Sequence, residues 1–307
     1  MHLNFVTVFS LLAAAGQGYI LDDSCTKDAN ALNFMTVNLG WTFESARIAR
    51  DALARRPWNK EEDGPLMDLA TWIFKEDGSE PQVPRPLYET KEVLLNNAHD
   101  PRRNLDKLRD VLTNVLDLDG KTIRRKQPQV EFFCDLSRYG EPDTVRGRVF
   151  DRVRRIFFYL TDNPSYDCSK PFVMAYSTLG IDDDEPDLVQ ICPGYFKKMM
   201  DARVTSTAPF KKLHSTGLAV SPVPSTAMDI ASLFDNTVLH ELFHTKWAGD
   251  MDDIGLLFDP YGWKNIVKMD KEISINNADS AAYFALGARM ILSQGYKPNR
   301  NGSISKI

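Results

Sequence analysis

Three features are missing from this sequence: a second hydrophobic run of membrane-spanning length, an excess of basic residues, and a cysteine pair spaced C-x-x-C. A membrane-spanning helix needs about 20 apolar residues, so the mature chain is predicted to make no membrane contact. A net charge of −5 is not typical of general nucleic-acid-binding proteins, which are usually basic. Without C-x-x-C spacing, the pattern does not favour a zinc site built from cysteines. No serine or cysteine triad can be identified either.

The N-terminus is typical of an export signal. An apolar run, FVTVFSLLAAA, covers residues 5–15, and mostly small residues follow it up to Gly18. The run is too short to span a bilayer, so it predicts a signal peptide over residues 1–18 and a secreted, extracellular protein. Before the run, only His2 and the amino terminus can carry positive charge, so the usual basic start is missing, and a buried N-terminal segment is the alternative.

The four cysteines all follow the predicted signal peptide. An even number in an exported chain indicates two disulfide bonds, and four cysteines allow three pairings. The short loop between Cys168 and Cys192 favours that bond, which leaves Cys25 to pair with Cys134.

The spacing of apolar residues predicts helices first, then strands, then helices again. Helices are predicted over Phe43–Arg56, from near Asn104, over about Thr144–Leu160, from Ala227 and after the segment Asn276-Asn277-Ala278-Asp279. Strands are predicted over Val130–Leu136, Phe172–Tyr176 and Leu188–Cys192. This order is typical of an α+β fold.

The segment His240-Glu241-Leu242-Phe243-His244 carries the strongest chemical signal in the chain. Two histidines four residues apart project from the same face of a helix, so both imidazoles can bind one zinc ion. Glu241 is placed to accept a proton from a water that the metal polarises. A chance pattern on a helix surface is the alternative. Only five histidines occur in the chain, and two of them lie in this motif.

A catalytic zinc site usually has three protein ligands and one open position. No histidine follows His244, so a carboxylate is expected as the third ligand. The downstream segment offers four candidates, which are Asp250, Asp252, Asp253 and Asp259.

The last 70 or so residues resemble the aspzincin metallopeptidases, the deuterolysin-like and lysine-specific fungal endopeptidases. The resemblance rests on the His240–His244 motif, on Tyr261-Gly262, and on Asn277-Ala278-Asp279-Ser280 followed by Ala282-Tyr283-Phe284-Ala285. The family has its aspartate ligand three residues before the tyrosine, where this chain has Phe258. Asp253 lies nine residues after His244, a spacing that suits the family, and is preferred over Asp259 as the third ligand.

The resemblance implies roles for two further residues. Tyr261 would donate a hydrogen bond to the oxyanion of the transition state, unless it is an ordinary packed tyrosine. Asp279 would orient a zinc-bound histidine or the Tyr261 region, and it would also be a favourable charge at a helix N-terminus.

The expected protein is therefore a secreted zinc endopeptidase with one zinc ion per chain. We expect a single zincin-like domain over residues 19–307, with a helical N-terminal half and a catalytic region over about 170–295. Its partner would be a peptide or protein substrate, and the chain would be a monomer. Strand Leu188–Cys192 is a candidate sheet edge for aligning that substrate. The alternative is a secreted zinc-binding or interaction protein with little or no turnover.

Overall fold

The computed structural model describes residues 18–82, 104–120, 128–159, 168, 173–182, 184–202, 226–254 and 261–307. The predicted signal peptide therefore lies outside the described residues, apart from Gly18. So do Phe258 and Asp259.

In the described residues, one short strand and four helices come first, five strands follow, and six helices and two further strands come last. The helices are α1 (Asp23–Thr26), α2 (Ala29–Ala54), α3 (Lys60–Phe74), α4 (Asn104–Leu118), α5 (Pro193–Ala202), α6 (Ala227–Ala231), α7 (Phe234–His244), α8 (Trp263–Ile266), α9 (Lys271–Ser274) and α10 (Ala278–Arg289), and a π-helical turn, Met290–Gln294, follows α10. The strands are β1 (Tyr19–Leu21), β2 (Val130–Phe133), β3 (Arg148–Asp151), β4 (Ile156–Tyr159), β5 (Ala175–Thr178), β6 (Asp187–Ile191), β7 (Tyr296–Pro298) and β8 (Ile304–Lys306). The described chain is thus mixed helix and sheet, consistent with the α+β class.

The principal sheet has four strands in the order β1-β2-β6-β5. β1 and β2 run parallel, as do β2 and β6, whereas β5 is antiparallel to β6 and lies at the edge. All five residues of β6 are buried, as expected for a strand with neighbours on both sides. β5 contacts α7, which brings the sheet edge next to the histidine motif.

A helical core packs beside this sheet. α2 contacts α4, α7 and α10, and α10 also contacts α3 and α7. One buried ion pair joins two of these helices, because Arg289 Nη1 lies 2.6 Å from Asp235 Oδ2 with both side chains almost fully enclosed. Thr42 of α2 donates to the backbone oxygen of Asp235 at 2.9 Å. These contacts hold α7 firmly against the helical core.

Helix α2 begins earlier than its sequence pattern indicates. The apolar spacing predicts a helix over Phe43–Arg56, but α2 starts at Ala29 because the carboxylate of Asp28 caps it. Polar residues such as Asn38 and Thr42 interrupt the apolar pattern in its first half. The Asn38 side-chain nitrogen donates to the backbone oxygen of Phe34 at 2.8 Å, and the Thr42 hydroxyl also lies 3.0 Å from the backbone oxygen of Asn38, so these polar groups are tolerated inside the helix.

The helix predicted over Thr144–Leu160 is wrong. Strands β3 and β4 form an antiparallel hairpin there, with Phe150 opposite Phe157. The apolar residues at helical spacing also fit cross-strand pairing, and Arg155 has a left-handed backbone (φ 56°) that ends any helix. The buried ion pair between Arg138 and Asp151 at 2.6 Å fixes β3 from outside the segment, so tertiary contacts decide its structure.

The structure contains two disulfide bonds, Cys25–Cys134 and Cys168–Cys192. This is the pairing that the short loop favoured. Cys25–Cys134 joins α1 to the residue after β2, and Cys192 follows β6. Two disulfides are compatible with an extracellular protein. Within the described ranges, no helix is both long and apolar enough to cross a membrane.

Candidate metal centre

Helix α7 places the two histidines of the motif at its C-terminal end. The continuous helix predicted from Ala227 is interrupted, since Ser232 and Leu233 are extended and separate α6 from α7. In α7 the apolar side chains are buried in the core, and His240 and His244 lie one turn apart on the same face. Their Nε2 atoms are 3.1 Å apart.

The segment after α7 returns to the helix and brings Asp253 opposite the histidines. Met251 N donates to the backbone oxygen of Phe243 at 3.0 Å. Asp252 N donates to Asn276 O at 2.9 Å, and Ala278 N donates back to Asp252 O at 3.0 Å. The segment is thereby fixed both to the end of α7 and to the start of α10.

His240, His244 and Asp253 form a group that could hold a metal ion. Asp253 Oδ1 lies 3.3 Å from His240 Nε2, and Asp253 Oδ2 lies 3.4 Å from His244 Nε2. Donors placed tetrahedrally about an ion at roughly 2.0–2.1 Å are about 3.3–3.4 Å apart, and the distances from His240 Nε2 to Asp253 Oδ1 and to His244 Nε2, 3.3 and 3.1 Å, lie close to this spacing. Asp253 Oδ1 is also buried without a hydrogen-bond partner among the described residues.

The other nitrogen of each imidazole has its own partner. His244 Nδ1 lies 2.6 Å from the backbone oxygen of Met251, which can only accept, so Nδ1 carries the proton. His240 Nδ1 lies 3.4 Å from Asp279 Oδ1. Such partners leave Nε2 of both rings free as metal donors and fix the ring orientations.

The charges of His240, His244 and Asp253 shift one another's pKa values. Burial alone lowers the pKa of His240, but the charge and hydrogen bonds of Asp253 and Asp279 outweigh it and raise that pKa well above its usual value. Burial lowers the pKa of His244 as well, but the hydrogen bond to Asp253 and the charges of Glu241 and Asp253 together outweigh it and raise that pKa. Burial raises the pKa of Asp253, but the two histidines outweigh it and hold that pKa far below its usual value. A cation bound by these donors therefore has to displace protons.

Glu241 is buried beside the metal-ion group and is oriented by the sheet edge. Ser177 of β5 donates its hydroxyl to Glu241 Oε2 at 2.8 Å, and it also lies 2.9 Å from the backbone oxygen of Glu241. Burial raises the pKa of Glu241, and the charges of His240 and His244 oppose this rise. A carboxylate with a raised pKa is a stronger base than one in water, so it suits proton transfer.

Tyr261 and Gly262 form a turn beside the third donor. The Tyr261 hydroxyl donates to Asp253 Oδ2 at 2.7 Å, and the side chain is 45% exposed. Gly262 has φ 85° and ψ 154°, a backbone region that is open essentially only to glycine, and this explains the Tyr-Gly pair. Gly262 N donates to Asp279 Oδ2 at 2.7 Å, so Asp279 contacts both this turn and His240.

The described structure separates the candidate third ligands. Asp253 joins the two histidines, whereas Asp250 and Asp252 are not in that group. Asp259 lies outside the described residues. Sequence reasoning missed Ser177 and Asp229, which accepts from Trp263 N and the Tyr283 hydroxyl near this site. The sequence did contain one indication of a structural role for Asp229, because Thr226 and Asp229 have the spacing of a capping box at a helix N-terminus.

The strand predicted as a substrate edge is not at the edge. β6, which contains most of Leu188–Cys192, pairs with β2 on one side and β5 on the other. Its backbone groups are therefore occupied within the sheet. The last strand of the described sheet is β5, Ala175–Thr178, and it carries Ser177 next to Glu241.

Asp187 connects this edge to the segment that follows α7. It is fully buried at the start of β6, and its two oxygens accept from Gly180 N at 2.7 Å and from Lys246 N at 2.8 Å. Burial raises the pKa of Asp187 to about 6, although these hydrogen bonds and the Lys246 charge oppose the rise. Because this folded-state pKa lies above the usual value, its contribution to stability is present below about pH 4 and decreases as pH rises towards about 6.

We expect this titration to appear in unfolding experiments. We compare the free energy of unfolding of the wild type with that of Asp187→Asn. The wild-type value minus the variant value should fall by about 3 kcal/mol between about pH 4 and about pH 7. Urea denaturation of both proteins across this range, with chelator present, measures the difference. Asp182→Asn, in the exposed loop nearby, is the control for loss of one negative charge. A constant difference for Asp187→Asn would contradict the assignment.

In comparisons with protein-family models, curated proteins and solved structures, the chain shows no match.

Proposed function

We propose that the protein is a secreted zinc-dependent endopeptidase. The observation that carries the proposal is the convergence of His240, His244 and Asp253, with the buried carboxylate of Glu241 beside them. Metal binding alone does not require Glu241. A buried carboxylate next to three donors instead suits a site that moves a proton during hydrolysis.

Two imidazole nitrogens and one carboxylate oxygen are a donor set of catalytic zinc sites, which leave one coordination position open. When bound there, zinc supplies Lewis-acid polarisation of the attacking water and of the substrate carbonyl. The hydrogen bonds from His244 to Met251 and from His240 towards Asp279 keep both rings in the orientation required for binding.

The side chains of the site transfer the proton, orient the base and stabilise the developing negative charge. Glu241 accepts a proton from the attacking water as the new carbon–oxygen bond forms, and then delivers it to the nitrogen of the leaving amine as the peptide bond breaks. Ser177 keeps Glu241 Oε2 in place through the hydrogen bond at 2.8 Å. The Tyr261 hydroxyl donates to Asp253 Oδ2 in the free protein, and it would exchange this contact to donate to the oxygen that gains negative charge.

The edge strand β5 supports the choice of an extended peptide as substrate. A peptide can add to an exposed sheet edge through backbone hydrogen bonds. Ser177 lies on β5 and contacts Glu241, so a peptide bound along this strand would pass close to the general base. We therefore assign substrate alignment to Ala175–Thr178 and not to Leu188–Cys192, the strand expected from the sequence.

Metal removal is the direct test of this function. Purified mature protein should contain about one zinc ion per chain, and it should cleave denatured casein. Ortho-phenanthroline should abolish cleavage, its non-chelating meta isomer should not, and added zinc should restore it. Cleavage that survives chelation would contradict the proposal. Bound zinc without cleavage of casein or of a diverse peptide library would instead favour a zinc-binding or interaction protein.

A further inference from the structure

Asp229 is a carboxylate that joins three segments around the Tyr261 turn, and the proposed reaction assigns it no role. It lies on α6, where Oδ2 accepts from the backbone nitrogen and the hydroxyl of Thr226, at 2.6 and 2.8 Å. Oδ1 accepts from Trp263 N at 2.8 Å and from the Tyr283 hydroxyl at 2.7 Å. Both oxygens of Asp229 are therefore fully used as acceptors.

The turn after Tyr261 is held by two carboxylates at successive backbone nitrogens. Gly262 N donates to Asp279, and Trp263 N donates to Asp229. The turn also lies in van der Waals range of Asp229, since a Cβ atom on Gly262 would lie 3.4 Å from Asp229 Oδ1. The position of this turn is thus set by its backbone contacts.

Tyr283 fixes Asp229 in turn. Its side chain is buried at 3% exposure, and it belongs to α10, the helix that also carries Asp279. Asp279 is thus part of α10, and Asp229 is hydrogen-bonded to Tyr283 of the same helix, so α10 positions both carboxylates that contact the turn. The side chain of Tyr261 extends from this turn, and its hydroxyl donates to Asp253 Oδ2 at 2.7 Å.

We propose that Asp229 is a positioning residue of the metal centre: by holding Trp263 it keeps the Tyr261 hydroxyl directed at Asp253, the third metal donor. The inference rests on the metal site of the proposed function. A hydrogen bond to a ligating carboxylate fixes that ligand's orientation, and loss of such a partner typically lowers metal affinity by about 10–100-fold. Asp229 acts one step further out, through the backbone of the turn.

The test substitutes Asp229 by asparagine, which keeps the shape of the side chain. Asparagine has one oxygen and one NH2 group, so in either orientation its NH2 faces a backbone N–H, of Trp263 or of Thr226. Zinc affinity is measured by competition with a chromophoric chelator, using zinc alone and no substrate. We expect Asp229→Asn to bind zinc about 10-fold more weakly than the wild type.

A double-mutant cycle with Tyr261→Phe separates positioning from general stability. If Asp229 acts through the Tyr261 hydroxyl, Asp229→Asn should change zinc affinity by less than about twofold in the Tyr261→Phe background. A decrease in the melting temperature of the metal-free protein should persist in both backgrounds, because the turn loses the same backbone contact. Equal losses of zinc affinity in both backgrounds would overturn the proposal.

Asp28→Asn is the matched control, because Asp28 accepts from two backbone nitrogens at the start of α2 and contacts no residue of the site. It should leave zinc affinity unchanged. Unchanged affinity in a folded Asp229→Asn protein would overturn the inference while leaving the metal site intact. A wild type that binds no zinc would overturn both the inference and the proposed function.

Discussion

Substituting Glu241 by glutamine should remove peptide hydrolysis while leaving zinc in place. Glutamine has nearly the same shape and can still accept the hydrogen bond from Ser177 Oγ, so the buried packing is preserved. It cannot take up a proton, and general-base catalysis typically contributes about 10²–10⁴-fold. We therefore expect kcat to fall by about 10³-fold, with zinc content unchanged. Initial rates on a fluorogenic peptide and metal analysis of the same samples measure both quantities.

Glu61→Gln provides the matched control, since Glu61 is exposed in the first turn of α3. It should hydrolyse peptides at the wild-type rate. Full activity of Glu241→Gln would exclude Glu241 as the base. Loss of zinc from that variant would show instead that Glu241 acts on metal binding, and the proton-transfer role would have to be withdrawn.

Removal of one metal donor is expected to abolish both zinc binding and activity. Partners that only orient ligands account for about 10–100-fold in metal affinity, so loss of a direct donor should exceed about 100-fold. His240→Ala and Asp253→Asn should therefore bind zinc at least about 100-fold more weakly than the wild type. Zinc titration and circular dichroism of each variant separate loss of the site from loss of the fold.

Two neighbouring aspartates complete this experiment. Asp252→Asn is the control, because Asp252 holds the segment through its backbone and is outside the donor group. Its zinc affinity should equal that of the wild type. Asp259→Asn tests the remaining candidate ligand. If Asp259→Asn lost zinc and Asp253→Asn kept it, Asp253 would be excluded as the third donor.

The His240–His244 motif shows why some of this site could be predicted from sequence. Its geometry is local, because a spacing of four residues puts both side chains on one face of any α-helix. The pairing Cys168–Cys192 depends similarly on a short separation along the chain. The helix Asn104–Leu118 was also predicted at its start, since its apolar residues follow helical spacing without interruption.

The third donor and the surrounding contacts depend on distant parts of the chain. Spacing left Asp253 and Asp259 both open, whereas backbone bonds to Phe243 and Asn276 put Asp253 opposite the histidines. Ser177 and Asp229 reach the site from other elements, and no pattern in the sequence relates them to Glu241 or Tyr261.

By itself, then, the sequence determined the features that arise within a few residues: the two histidines and Glu241 on one helix, the short disulfide loop and the mixed helix and sheet composition. Only the tertiary structure decided which strand forms the sheet edge, that residues 148–159 form a hairpin, and which aspartate faces the histidines. The physical reason is that helical spacing acts between neighbours in sequence. Strand pairing, burial and hydrogen bonding instead join residues that meet only when the whole chain packs.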